Sequence, residues 1–315
     1  MDSLQLKQFA EEVKEGLTSS PKRLSSKWFY DEIGDDLFVK IMKMPEYYLT
    51  NAEFEIFSQK SDELIDAFGV KDQYFELIEL GAGDGTKTIE LLKALQSKDF
   101  VYRPIDISIN AIDKLTQRIK SELSIVRVEG AQGEYFTALQ TLKSDHPKVI
   151  LFMGSNLGNM LDEQANEFLK ALSEVMNKGD KLLLGLDLKK KEEIVLPAYN
   201  DAQGFTAAFN LNLLDRINRE LGADFNREAF AHKPQYIEQT GLAKSYLMST
   251  KVQDVRIGHI GETVHFEEGE TIFMEISRKY DDDAIREISA NTSLNLITQL
   301  FDSKKWFSDF IFEKQ

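Results

Sequence analysis

Along residues 74–188, apolar runs of strand length alternate with segments in which apolar residues recur every three or four positions. The runs are 75–80 (FELIEL), 101–106 (VYRPID), 124–130 (SIVRVEG), 148–154 (KVILFMG) and 180–188 (DKLLLGLDL). Helix-period segments fall between them: after Thr86, from Asn110 to Leu123, from Tyr135 to Leu142, and over 165–177. Nearly continuous apolar strands separated by amphipathic helices predict a parallel sheet covered on both faces. Five such strands predict a doubly wound α/β sheet.

After 190 the pattern changes. Residues 192–231 read as helices and 234–279 as strands. The tail resumes with an amphipathic helix, DDDAIREISANT, and two apolar runs, LNLITQLF and WFSDFIFE, split by a Ser-Lys-Lys turn. That terminal strand pair brings the sheet to seven strands. The expected division is an α/β domain of 53–189 plus 280–315, interrupted by an α+β domain of 1–52 plus 190–279. The opening segment, MDSLQLKQFAEEVKEGL, reads as an amphipathic helix and not as a charged-then-apolar leader.

The first strand carries Glu79 two positions before a G-x-G-x-G turn at Gly81, Gly83 and Gly85, and a helix starts at once. Glycines at a strand-to-helix turn let the backbone approach a ligand closely. A dinucleotide fingerprint needs GxGxxG, and the third glycine position here is Thr86. The E-x-G-x-G-x-G form is the one used by S-adenosylmethionine (SAM) methyltransferases, so SAM is the expected cofactor, cradled by Glu79, Gly81 and Gly83. Asp106 ends the second strand, where a carboxylate can accept from both ribose hydroxyls; a helix cap is the structural alternative. Lys87, in the first helical turn, can pair with the cofactor's methionine carboxylate, or simply face solvent.

Composition narrows the rest. A chain of 315 residues with 42% hydrophobic and 29% charged content is an ordinary globular composition. A net charge of −15 argues against a nucleic-acid partner, which would require Lys/Arg clusters. The densest apolar stretches are of strand length, well short of the roughly 20 residues of a membrane span. The absence of cysteine removes disulfides, thiolate chemistry and Cys-type zinc sites, and is compatible with a cytoplasmic location. His146, His232, His259 and His265 show no HxxxH pair or carboxylate spacing, so they are expected at the surface or in packing, with no metal site.

At the carboxyl end of the fourth strand, GSNLGNM (154–160) occupies the place where open α/β sheets put reacting groups. It lacks the Asp/Asn-Pro-Pro-Tyr/Phe of base-modifying methyltransferases. Asn159 offers a carboxamide for a carboxylate or an amine, or else a turn residue. Aromatic clusters at 27–34, 44–50, 197–210 and 273–280 are either core or a pocket lining. Glu275 and Ser277 are two apart on a predicted strand and emerge on one face. That pair is costly to bury unless it meets a polar ligand.

Taken in order, KWFYD, MPEYYLT, ELGAG with KT after it, PID, LFMGSNLGN, LLLGLDL, AYNDAQGFTAAFNLNLLDRINRELGADF and E-x-S-x-K resemble the histidine Nα-methyltransferases of ergothioneine biosynthesis. The resemblance covers about residues 21–280. It implies a class I SAM-methyltransferase fold with an inserted substrate-binding domain, and SAM on Gly81, Lys87 and Asp106. The substrate's backbone groups would be held by Tyr47, Asn159 and Tyr199, and its imidazole read by Glu275 and Ser277. Tyr30 and Phe38 would line the same pocket, with Tyr30 and Asn159 at the reacting amine. Where relatives often show Gly-Asp-Phe for the adenine, this chain has Gly133-Glu134-Tyr135, which assigns Glu134 and Tyr135 there. Asn156 stands where the bacterial enzymes commonly have Thr. The implied reaction is methylation of the α-amino group of L-histidine. Another small amine, or silent SAM binding, are the alternatives.

Overall fold

The computed structural model describes residues 3–70, 73–139 and 143–315. The chain forms two compact units, Met1–Tyr48 with Lys190–Ser277, and Leu49–Lys189 with Arg278–Gln315. Thirteen strands run through the described residues: β1 (Phe75–Leu80), β2 (Phe100–Asp106), β3 (Arg127–Val128), β4 (Ala131–Gln132), β5 (Lys148–Phe152), β6 (Lys181–Asp187), β7 (Phe230–Ile237), β8 (Leu242–Ser249), β9 (Gln253–Ile257), β10 (Glu262–Phe266), β11 (Thr271–Arg278), β12 (Leu294–Phe301) and β13 (Phe307–Lys314).

In the larger unit the sheet order is β12-β13-β6-β5-β1-β2-β3, with β4 also on β2. β1 lies parallel to β2 and β5, and β5 parallel to β6. Only β13 runs against its neighbours β6 and β12. This is the class I SAM-methyltransferase arrangement. The chain winds outward from β1 to β3, then restarts on the other side at β5. The carboxyl ends of β1 and β5 therefore part at a topological switch point, where open α/β sheets bind ligands.

Strand alternation splits the core into two layers. Phe75 and Leu77 of β1 and Val149 and Leu151 of β5 face one layer. Ile78, Leu80, Ile150 and Phe152 face the other. Each fully buried side chain of this size contributes about 1.5–3 kcal/mol, so strands apolar on both faces belong in the sheet's middle.

Where the chain is polar, the structure departs from the expected elements. The strand expected over 124–130 shrinks to β3 and β4, both on β2. As the outer edge it has a partner on one side only, and its side chains are largely exposed. The helix expected over 165–177 begins earlier, at Asp162. Gln164 Oε1 accepts from Leu161 N at 3.3 Å, and Asp162 and Glu163 favour a helix N-terminus. The helix from Tyr135 runs to Leu139; its expected end over 140–142 lies outside the described residues, as do Met1 and Asp2 of the N-terminal helix.

The smaller unit holds a three-stranded sheet, β11-β8-β7, and the hairpin β9–β10. Of the helices expected over 192–231, a short one spans Glu192–Val195 and a long one Phe205–Leu221. Asp201 starts the long helix, accepting from Phe205 N at 2.8 Å and Thr206 N at 2.9 Å. Gly222, at φ 62°, ends it in the left-handed conformation, and β7 begins at Phe230. Phe209, Leu213, Leu214 and Ile217 of this helix pack with Phe9, Val13 and Leu17 of the N-terminal helix and with Leu247, Ile272 and Met274. Among the described residues no helix is long and apolar enough to cross a membrane.

The segment 190–277 leaves and rejoins the larger unit through a short stem. Tyr280 N donates to Asp187 O and Lys189 N to Tyr280 O, both at 2.8 Å. Lys279 Nζ lies 2.8 Å from Asp187 Oδ2, both side chains fully buried. A second buried pair sits at the start of β5, where Lys148 Nζ is 3.1 Å from Asp180 Oδ2. Asp180 also accepts from Lys148 N at 2.9 Å and Asn177 N at 2.7 Å. Removing one partner of such a pair leaves an uncompensated buried charge. Asp180→Ala is expected to cost ~3–5 kcal/mol in urea unfolding, and a loss below about 1 kcal/mol would show that the pair behaves as an exposed one.

Candidate functional site

The glycine turn after β1 is shaped by what approaches it. Gly81 has φ 78°, and a Cβ there would lie 2.8 Å from both Asn156 Nδ2 and Tyr135 Oη. The turn therefore touches the end of β5 and the helix that follows β4, and neither contact leaves room for a side chain. Gly83 also has a left-handed φ, 54°. Asp106, at the end of β2, accepts from Gly83 N at 3.0 Å through Oδ2 and from Ser108 N at 2.9 Å through Oδ1. Its carboxylate is thus fixed beside the turn, with a second lone pair on each oxygen still to use.

The end of β5 is equally constrained. Gly154 and Ser155 both adopt positive φ, 69° and 57°, which for a serine is an uncommon, strained conformation. Ser155 N donates to Gly185 O at 3.0 Å, and Ser155 Oγ accepts from Asp187 N at 3.1 Å. Gly154 N lies 3.0 Å from both oxygens of the fully buried Glu53. Glu53 also accepts from Lys87 Nζ. The turn leads into a 3₁₀ helix, Asn156–Asn159, with Asn159 exposed at its end. Lys87 is therefore not a solvated lysine but belongs to a buried cluster at the switch point.

Glu79 is placed differently from the expected cofactor ligand. Its carboxylate is buried and accepts from Thr88 Oγ1, at 2.9 and 2.8 Å, and from Tyr102 Oη. It braces the strand before the glycine turn from the core side. Burial pushes its pKa up from 4.5 to about 7 against the two hydroxyl bonds. Glu134 is exposed just before the helix Tyr135–Leu139. The Tyr135 ring meets Phe152 edge-on at 5.0 Å and Phe168 at 5.9 Å, while its hydroxyl reaches the glycine turn.

In the smaller unit, Tyr30, Phe38 and Tyr47 come together as one aromatic group. Ring centroids lie 5.7 Å apart for Tyr30–Phe38 and 6.4 Å for Phe38–Tyr47. Phe209 joins it, 5.6 Å from Tyr30 and 5.8 Å from Phe38. Tyr199 is buried at the end of a 3₁₀ turn, Leu196–Tyr199. On β11, Ile272 and Met274 enter the core, so the strand's period of two puts Glu275 and Ser277 on the opposite face. Glu275 is half-buried and Ser277 buried.

His265 is exposed and His232 half-buried, the surface and packing places expected of them. His265 does have carboxylate partners: Asp254, directly across the β9–β10 hairpin at 2.7 Å, and Glu267. The nearer partner is invisible in linear spacing because it lies across strands. His232 is half-buried in β7, and burial pushes its pKa down to about 4.

The family described as histidine-specific, SAM-dependent methyltransferases matches residues 9–314. The chain belongs to this family. It is 36% identical over 271 residues to the histidine N-alpha-methyltransferase of Mycolicibacterium smegmatis, covering 85% of this chain and 83% of that one. A histidine N-alpha-methyltransferase of Mycobacterium tuberculosis is 36% identical over 300 residues, with 95% and 90% covered. The ergothioneine biosynthesis protein 1 of Schizosaccharomyces pombe is 29% identical over 313 residues, covering 96% of this chain and 40% of that protein. As a member of the family, the chain is a SAM-dependent methyltransferase that takes a small-molecule substrate.

Sequence reasoning passes over Glu53, Phe209, Asp309 and Gly185 of this methyltransferase. The signals are present: an acid in the apolar strand SDFIF and a lone glycine inside LLLGL. A glycine within a strand marks a close approach, here of two carboxyl groups to Gly185.

Glu79 makes stability depend on pH. Its folded pKa of about 7 exceeds the ordinary 4.5, so between these values the folded chain holds a proton that the unfolded chain has lost. Stability falls as pH rises through that window, by on the order of 3 kcal/mol. Glu79→Gln, the neutral isostere, should flatten this fall when urea unfolding is compared at pH 5, 6, 7 and 8. Parallel curves for the two proteins would refute the assignment.

Proposed function

We propose that this enzyme transfers methyl groups from SAM to the α-amino group of L-histidine, towards the trimethylated betaine hercynine. The observation that carries the reading is the family match over 9–314, which spans both units. The residues at the switch point fit the cofactor. Gly81 and Gly83 supply a turn without side chains, Asp106 stands fixed at its rim, and Lys87 is held at the end of β5. In this reading the larger unit is the cofactor domain and the smaller one the substrate domain. Asp106 takes the ribose hydroxyls, Lys87 the methionine carboxylate, and Glu134 and Tyr135 the adenine end. Glu79 supports the turn from within.

Bound SAM supplies an electrophilic methyl carbon on a sulfonium. The protein's task is to present an unprotonated amine with its lone pair about 3 Å from that carbon. Tyr47, Asn159 and Tyr199 hold the amino acid's backbone groups. Tyr30, within the aromatic group around Phe209, orients the amine. The proton leaves to water as the amine enters, so no strong general base is required. Glu275 accepts from one imidazole nitrogen and the Ser277 hydroxyl serves the other, matching the ring's two distinct nitrogens. With a net charge of −15 and no cysteine, the enzyme acts on a small molecule and not on nucleic acid, in the cytoplasm.

The direct test is incubation with SAM and each common amino acid, followed by mass spectrometry. Histidine should gain methyl groups in steps of one; modification of a different amino acid alone would overturn the substrate. Glu275→Ala should raise KM for histidine about tenfold or more, the scale of a lost charge-assisted hydrogen bond, with SAM affinity nearly unchanged. Asp106→Ala should do the reverse, weakening SAM by about tenfold or more. If both variants impaired the same ligand, the division of roles would be wrong.

A further inference from the structure

Glu53 stands apart from the residues that the substrate and cofactor reading uses. It lies on the helix Tyr48–Gln59 with its side chain fully buried. An isolated carboxylate in such a place would be strongly disfavoured. Two donors from different regions of the sheet meet it. One is the Lys87 ammonium, from the helix after the glycine turn; the other is the Gly154 amide, at 3.0 Å, from the end of β5. The Lys87 side chain keeps 20% of its surface exposed.

The neighbourhood is built around this carboxylate. A Cβ on Gly185 would fall 1.9 Å from Glu53 Oε1 and 2.9 Å from Asp309 Oδ1, so only glycine lets the two acids sit there. Asp309 is fully buried, and neither of its oxygens has a hydrogen-bond partner among the described residues. Burial and the adjacent Glu53 charge push its pKa well up, against the pull of Lys87. Burial alone pulls the Lys87 ammonium towards neutrality, and Glu53 opposes that pull. A buried ion pair is weak evidence for stability, which directs attention to what the pair positions.

We propose that Glu53 is a positioning residue for cofactor binding, holding Lys87 charged and fixed against the Gly154 turn, where Lys87 receives the amino-acid carboxylate of the cofactor. This rests on the reading of Lys87 given above. Two ligands separate the possibilities: S-adenosylhomocysteine carries that carboxylate, and 5′-methylthioadenosine lacks it. Glu53→Gln keeps the side chain's shape and can still accept from Gly154 N, but removes the anion.

The experiment is calorimetric binding of both ligands to the full chain and to Lys87→Met, Glu53→Gln, Glu53→Asp and the Lys87→Met/Glu53→Gln double variant. Lys87→Met should weaken S-adenosylhomocysteine at least about tenfold, or about 1.4 kcal/mol, with methylthioadenosine within about twofold. Glu53→Gln should reproduce that selective loss, and adding it to Lys87→Met should cost nothing more. Glu53→Asp, too short to reach both donors, should show the same selectivity in smaller measure, and it decides the matter if the glutamine variant does not fold. Equal weakening of both ligands would reduce Glu53 to a structural role and overturn the proposal, as would wild-type affinities for both. A Lys87→Met protein that fails to discriminate between the ligands would overturn the underlying reading of Lys87 instead.

Discussion

A carboxylate shut away from water must find donors inside the protein, and Glu53 finds them in the Lys87 ammonium and the Gly154 amide. Much of the larger unit's upper edge depends on that requirement. Meeting it brings the helix after β1 and the end of β5 to one point, the place where the strand order reverses. It also dictates glycine at 185 in β6, because the acid occupies the volume a side chain would need. Glu79 has a related role within the sheet, satisfied by hydroxyls instead of a cation. The glycine turn is thus held between two buried acids with different partners.

The smaller unit rests on a different constraint. Its long helix begins where Asp201 satisfies the amides of Phe205 and Thr206, and that start sets which residues face the core. Phe209 falls on the inward side and gathers Tyr30 and Phe38 about it. A cap therefore fixes the rotation of a helix, and the rotation decides which aromatic rings can meet.

Elements buried on both sides are the most legible in the sequence. FELIEL, KVILFM and KLLLGLD have no polar face to confuse the period, and each is a central strand. The outer strand is shorter than its pattern suggests, because SIVRVEG alternates like a strand while its edge position supplies a partner on one side alone. The stretch 192–231 is less helical than its composition, because the left-handed turns at Gly204 and Gly222 interrupt it. Glu79 illustrates the limit for individual side chains. Its position before the glycines is visible, but the Tyr102 and Thr88 hydroxyls that turn it inward come from elements whose spatial order the sequence does not display. Glu53 and Asp309 are 256 positions apart in numbering yet flank the same glycine, and linear spacing carries no sign of that.

The stem at Asp187 and Tyr280 bears on how the chain is made. β6 has β5 on one side from the moment it forms, but its other neighbour is β13, whose Phe307 pairs with Asp187 itself. During synthesis the ribosome delivers the whole excursion 190–277 before that neighbour exists, so β6 stays an open edge until the last strand is made, the kind of surface that invites wrong pairing. The stem limits the exposure. Once Tyr280 exchanges hydrogen bonds with Asp187 and Lys189, the excursion is tied off as a closed loop, and the distance β13 must search is set by the residues after 280 and no longer by the hundred or so before them.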